Sequence, residues 1–176
     1  MSLTGSFIFK KDKPFYTMVS SFMVAISGVP SVFKPDNPMN FDRTQTIELT
    51  GIVFPSVSIS PYHIHRNAVD GFITIDDYKI ALCLMLANHA YESVKSNNDG
   101  SPEFEFFRHI RNAASHANNF YFTNKEPSRA ASWRRMAIDN CLKGRLNPLH
   151  GHQCFSKTLG ISDLLLLLSD IEQKLL

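Results

Sequence analysis

Six residues in one short stretch, Arg108, His109, Arg111, Asn112, Ser115 and His116, carry side chains suited to phosphate. An Arg guanidinium offers a planar fork of donors, and a His gains or loses a proton near neutral pH. Between Phe106 and Asn124 there is no acidic residue. An exposed helix face is ordinarily laced with acid–base pairs that neutralise one another, so Arg108 and Arg111 are expected to stand uncompensated beside His and Asn. That arrangement is what a phosphate site requires.

A helix must hold these residues. At 3.6 residues per turn over Glu103 to Asn118, the residues Phe106, Phe107, Ile110, Ala113, Ala114 and Ala117 fall on one arc. The six polar residues fill the other. Ser101 suits the N-cap, Pro102 the first helical position, and Glu103 and Glu105 the positive helix end. Arg111 and His116 are then about 140° apart around an ideal helix axis, whereas Asn112 and His116, four apart, share a side. One straight helix does not aim Arg111 and His116 at one small group. A two-fold dimer apposing two copies of the face brings Arg111 of one chain toward His116 of the other, so a homodimer is expected.

The remaining elements read as a mainly helical chain. At 176 residues it is long enough for one core and short for two ordinary domains, so residues 1–176 are expected to form a single domain. An apolar fraction of 44% with 19% charged residues is that of a folded protein, and fourteen Phe supply much of the burial. Phe15 to Ser27 reads as a helix ended by Gly28 and Pro30, Val32 to Asp42 as loop, and the β-branched Thr44 to Ser60 as a short strand or extended segment. Residues 1–72 are otherwise hard to assign. Thr74 with Asp77 resembles a capping box opening a helix to about Lys95, apolar on all sides from Ile80 to Ala87 and therefore central. Phe120-Tyr121-Phe122 reads as a short packed strand, and Trp133 to Leu146 as a hairpin or a helix and turn. Ser162 or Asp163 caps a last helix that buries Leu164 to Leu168, Ile171 and Leu175. The sum is a mainly α helical bundle with a small β-hairpin or extended segments.

Arg111-Asn112-Ala113-Ala114-Ser115-His116 resembles the R-x-x-x-x-H motif of HEPN domains, small helical proteins common in microbial toxin–antitoxin and anti-phage (phage defence) systems. A polar residue after the Arg is typical of that family, and Asn112 fits. The flanking order, from Glu105-Phe106-Phe107-Arg108 through Asn118-Asn119-Phe120, Ala131-Ser132-Trp133-Arg134, Ile138 and Lys143-Gly144 to Ile161-Ser162-Asp163-Leu164-Leu165 and Leu168-Ser169-Asp170-Ile171, is similar to one plasmid- and genome-borne branch of stand-alone HEPN proteins. The likeness covers residues 74–176. It implies a HEPN-like bundle that cleaves RNA as an endoribonuclease, without metal or cofactor, in a cleft between two protomers. His116 is implied as general base or acid while a ribose 2′-hydroxyl attacks the adjacent phosphorus and leaves a 2′,3′-cyclic phosphate. Arg111 is implied to stabilise the charge on the phosphoryl oxygens, and Asn112 to orient His116 or hold an oxygen. Arg108 and Ser115, on the same face, are expected to contact RNA. The implied partners are RNA, a second copy of the chain and an antitoxin.

Other features carry plainer readings. Arg145-Leu146-Asn147-Pro148-Leu149-His150 repeats the Arg–His spacing, but Pro148 bars it from a helix interior. His63 and His65, and His150, His152 and Cys154, sit two apart as on extended chain, without four ligands or finger spacing, so no metal is expected. His109 is expected to be structural, Trp133 to lie in the core, Asp163 to cap, and Asp170 to face solvent. Three cysteines without a C-x-x-C pair read as free buried thiols in a reducing compartment, so a cytoplasmic location is expected. Lys10, Lys11 and Lys13 precede Phe15 to Val29 in the order of a weak leader, yet Thr17, Ser20 and Ser21 interrupt it. No apolar run approaches the roughly 20 residues that span a bilayer, so no membrane association is expected. A net charge of +2 neither demands nor excludes nucleic acid. Beside an endoribonuclease stand a non-catalytic HEPN-like module that binds RNA or protein, and a helical adaptor in which the motif is coincidence.

Overall fold

A computed structural model of the chain describes residues 9–35, 43–53 and 55–175. Among these residues the backbone forms α1 (Tyr16–Val32), β1 (Ile47–Leu49), β2 (Val57–Ile59), α2 (Pro61–Val69), α3 (Ile75–Val94), α4 (Pro102–Ser115), β3 (Ala131–Trp133), β4 (Met136–Ile138) and α5 (Ile161–Lys174). The expected mainly helical class is observed, with two two-stranded antiparallel sheets, β1–β2 and β3–β4. None of the described helices is long and apolar enough to cross a membrane. The described residues up to Met23, together with those from Ile80 onward, make one compact unit, and Val24–Lys79 make another.

In the Val24–Lys79 unit, the β-branched segment forms a hairpin in register Ile47↔Ile59 and Leu49↔Val57. Helix α2 follows at once, with Ser60 as N-cap and Pro61 in its first turn. His63 and His65 therefore lie on a helix, two residues apart and on different faces, not on the extended chain the sequence suggested. Thr74 and Asp77 do form the expected reciprocal cap: the Thr74 N–H donates to Asp77 (3.0 Å) and the Asp77 N–H to Thr74 Oγ1 (3.1 Å). Helix α1 overruns its expected stop at Gly28 and Pro30 and ends at Val32. Pro30 lies inside it, has no N–H to give the Ile26 carbonyl four residues back, and the helix runs only two residues beyond it. The loop expected across Val32 to Asp42 lies partly outside the described residues, at 36–42.

Helix α3 departs from expectation in being buried on one face only. Cys83, Leu86, Ala87, Ala90, Tyr91 and Val94 keep the i, i+3, i+4 spacing of a single buried stripe, while Met85 is 68% exposed. The run Ile80 to Ala87 is apolar in sequence, but burial followed geometry. Cys83 and Cys154 are buried, and burial pushes the Cys83 thiol up to about 12, whereas Cys141 is exposed, against the expectation of three buried thiols.

In the larger unit α4 is the hub, packed against β3 and α5. Phe104, Phe106, Phe107 and Ile110 are fully buried beside Leu164, Leu167 and Leu168 of α5. Trp133 lies in this core as expected, its ring 6.1 Å from Phe106. Its indole N–H donates to Asp170 (2.8 Å), which also accepts from Arg134. Asp170 is thus a partner of the β3–β4 turn and not the solvated residue expected. Asp163, not Ser162, caps α5, though from within its first turn and not from the N-cap position. Gly160 is the N-cap, and Asp163, at the third helical position, accepts the Gly160 N–H (2.8 Å). The Phe15 N–H, at the start of α1, donates to Glu172 of α5 (3.2 Å).

One polar cluster is built into this packing. Arg108 donates from Nε to Glu105 (3.0 Å) and from Nη1 to Glu126 (2.7 Å), and its Nη2 lies 3.1 Å from His109 Nε2. Arg108 can only donate, so Nε2 accepts and the His109 proton sits on Nδ1. Burial works against the charge on Arg108, but the two carboxylates more than offset it. His109 is 1% exposed; burial and the neighbouring Arg108 push its pKa down to about 4.

Two stability predictions follow from this cluster. Arg108→Ala leaves the nearly buried Glu105 with only Asn98 (3.3 Å) and the more distant Arg129 (3.9 Å), frees Glu126, and is expected to cost about 3 kcal/mol. Lys174→Ala, which breaks the exposed pair with Glu103, is expected to cost under about 1 kcal/mol. Urea unfolding followed by Trp133 fluorescence reads both, and equal midpoints for the two variants contradict the assignment. His109 is neutral in the folded chain and titrates near an ordinary 6.5 when unfolded. Its stabilisation is therefore complete above about pH 6.5 and lost as pH falls toward 4, a difference of roughly 3 kcal/mol. The carboxylates held below their ordinary range, such as Glu126, contribute a separate loss at lower pH. In His109→Phe the decline between about pH 6.5 and 4.5 should flatten; an unchanged slope there refutes the role.

Candidate functional site

Helix α4 ends earlier than its apolar pattern suggests, and that early end shapes the site. Its last residue is Ser115, and His116 is the C-cap (φ −102°, ψ 44°), its N–H shared between the carbonyls of Asn112 (3.0 Å) and Ala113 (3.1 Å). Ala117 and Asn118 follow with φ of 52° and 70°. A left-handed Asn is tolerated, whereas a left-handed Ala costs roughly 1 kcal/mol and must be imposed by its surroundings. Asn118 supplies the constraint. Its amide brackets one residue, Nδ2 donating to the Phe155 carbonyl (3.0 Å) and Oδ1 accepting the Phe155 N–H (2.7 Å), while the Cys154 N–H donates to the Asn118 carbonyl. The helix expected to reach Asn118 is cut off because Asn118 pairs with Phe155. The ideal separation of 140° therefore does not describe Arg111 and His116, since only Arg111 is still on the helix.

Arg111 is half-buried against α3. It donates to Glu92 (2.5 Å) and to Asn112 Oδ1 (3.3 Å), and its guanidinium carbon lies 6.0 Å from the centre of the Tyr91 ring. Its Nε is buried without a hydrogen-bond partner among the described residues. Ser115 donates to Asn88 Oδ1 (2.6 Å), which holds the helix end against α3. The expected absence of carboxylate partners is thus overturned for both cations. Glu92 comes from another helix, Glu126 from beyond the next loop, and Glu105 from one turn upstream, all outside the acid-free window. His109, on the polar arc by its spacing, lies in the core, in keeping with the structural role expected of it.

The site residues consequently divide. Arg111 donates to the Asn112 side chain, whereas the Asn112 carbonyl takes the His116 N–H only as a last backbone bond of the helix, which does not bring the Arg111 and His116 side chains of one chain together. Arg108 faces Glu105, Glu126 and His109 instead. The His116 ring is exposed and stacks on Tyr121, centroids 4.6 Å apart at 27°.

Tyr121 connects His116 to a feature the sequence did not reveal. Residues 119–122 run extended beside 150–153, with an Asn119↔Gln153 bridge, a Phe120 N–H to His152 carbonyl bond and a Gly151 N–H to Phe120 carbonyl bond. The expected strand is reduced to this irregular pairing. Alternation along it sends Phe120 and Phe122 into the core and leaves Tyr121 48% exposed. Tyr121, Phe122, Thr123, Asn124, Arg145 and His150 line an open depression of about 560 Å³. The Tyr121 and His150 rings are 5.4 Å apart, and His150 Nδ1 accepts the Phe122 N–H (3.3 Å). Arg145 and His150, set aside in sequence because Pro148 separates them, meet here through loop geometry. The period-two alternation of Phe120-Tyr121-Phe122 was the signal that an aromatic ring would face outward.

No group of three or more His, Cys, Asp or Glu side chains among the described residues is arranged to hold a metal ion. No protein-family model matches the chain, and no characterised protein and no solved structure matches it significantly.

Proposed function

We propose that the protein is a HEPN-type endoribonuclease that works as a homodimer, with His116, Arg111 and Asn112 as its catalytic group. The observation that carries this reading is the end of α4. His116 stands exposed at the C-cap, and one turn earlier Arg111 and Asn112 are hydrogen-bonded to each other. His116 takes the proton of a ribose 2′-hydroxyl as that oxygen attacks the adjacent phosphorus, or returns a proton to the leaving 5′-oxygen. Arg111 neutralises the phosphoryl oxygens as charge builds, which requires its fork to exchange Glu92 for phosphate. Asn112 positions Arg111 through its side-chain oxygen. Arg108, with carboxylates on both sides of its fork, holds the scaffold, and Ser115 braces the helix end.

The Glu92 pair also favours a second reading, a HEPN-like module that binds RNA or a protein without cleaving. An Arg neutralised in the resting state contributes less to catalysis than a free one. Activity separates the two.

Single-stranded RNA incubated in excess chelator is expected to be cleaved. His116→Ala should lower the rate by about 100-fold or more at an unchanged melting temperature, the position being exposed. Arg111→Ala should lower the rate similarly, with some loss of stability because it also breaks the Glu92 pair. Refolding the two inactive variants together gives heterodimers in about half the population, each with one complete composite site, so about a quarter of the wild-type rate should return. No return, with heterodimers verified by mass spectrometry, sinks the shared site. RNA binding without cleavage by the unsubstituted protein supports the second reading.

A further inference from the structure

The depression beside His116 has the composition of a nucleotide site, and three independent features set it there. The first is aromatic. Tyr121 lines the depression while its ring stacks on His116, so a base lying against Tyr121 and His150 is one ring away from the catalytic group. Every base has a π-face, so such stacking is tolerant of sequence. The second is charge. No carboxylate lines the depression, and Arg145 makes no ion pair among the described residues. The nearest acid in sequence, Glu126, is held by Arg108 and by the Thr123 N–H and hydroxyl. The third is construction. Gly144 adopts φ +57°, its N–H donates to the Glu126 carbonyl (2.8 Å), and a Cβ there would lie 3.2 Å from Asn124 Cα. A side chain there would be both crowded and strained, so glycine suits the turn that sets Arg145 beside Asn124.

His150 adds a donor. With Nδ1 accepting the Phe122 N–H, the neutral ring carries its proton on Nε2, suited to a phosphate or base oxygen. The volume of about 560 Å³ lies within the roughly 300–1,000 Å³ of sites that take small molecules and cofactors.

We infer that this depression is a subsite for the RNA strand next to the scissile bond: a base packs against Tyr121 and His150, and Arg145 takes the adjoining phosphate. The inference rests on the reading of the protein as one that acts on RNA. It also adds what that reading lacks, a surface that holds the strand beside His116.

The test uses the full-length chain in a His116→Ala background, so that the probe stays intact. A fluorescent single-stranded RNA of about twelve nucleotides, the scale of simple single-strand sites, is titrated by anisotropy at several salt concentrations. Tyr121→Ala is expected to weaken binding roughly 5- to 100-fold, and Tyr121→Phe to restore it. Arg145→Ala should weaken binding of any sequence and reduce the slope of log affinity against log salt by about one. Both side chains are exposed, so melting temperatures should hold; Arg145→Ala decides the matter if Tyr121→Ala does not fold. Unchanged affinity and slope in Arg145→Ala overturn the subsite, as does a protein that binds no RNA. Loss of binding in these variants, in a protein whose unsubstituted form binds but never cleaves, supports the subsite while the catalytic reading fails. Cleavage by a protein whose Tyr121→Ala and Arg145→Ala variants bind normally has the opposite meaning.

Discussion

The Arg108 guanidinium, shared between Glu105 and Glu126, is the interaction on which the site geometry depends. Glu105 is 4% exposed, so its charge needs a partner, and Arg108 one turn along the same helix supplies it. The other side of the fork reaches eighteen residues down the chain to Glu126. Glu126 in turn accepts the Thr123 N–H, and its carbonyl accepts the Gly144 N–H. A single cation therefore ties α4 to the 123–126 loop and, through it, to the turn that carries Arg145. A hydrophobic contact could supply similar energy here but not the same direction, because a planar fork constrains both carboxylates at once.

The other constraint is the one that stops α4. Asn118 takes both backbone hydrogen-bonding groups of Phe155, and the helix gives up its last turn to allow it. His116 is thereby released from the helix surface and leans on Tyr121. The two constraints act on opposite ends of the segment 116–126, so Tyr121, between them, is held in place without being buried. Residues at its flanks, Phe120 and Phe122, contribute the apolar anchorage.

Much of the scaffold was legible because local chemistry and packing agree. The Thr74/Asp77 box, Ser101-Pro102 at the start of α4, and the leucine run of α5 each announce an element whose start or core was found where periodicity places it. Failures came where a distant residue decides the outcome. Nothing between Phe106 and Asn124 predicts that Glu92 and Glu126 will reach Arg111 and Arg108, and nothing local says that Asn118 will prefer Phe155 to a helix. His109 was expected to be structural despite its place on the polar arc; what the helical wheel could not show is that Phe122 packs against it, ring centroids 5.3 Å apart. The Arg111-Asn112-His116 group was readable as a motif; the Tyr121–Arg145–His150 depression was not, since it joins two loops more than twenty residues apart.

The central claim is chemical: a ribose 2′-hydroxyl attacks the neighbouring phosphorus, with His116 moving the proton. The ends of the products report on it directly. An RNA strand and a deoxy strand of the same sequence, incubated with the protein in excess chelator, are compared by mass spectrometry of the fragments. RNA fragments that end in a 2′,3′-cyclic phosphate and begin with a 5′-hydroxyl are expected, with the deoxy strand left intact. Fragments bearing 5′-phosphate and 3′-hydroxyl ends, or cleavage of the deoxy strand, contradict that claim.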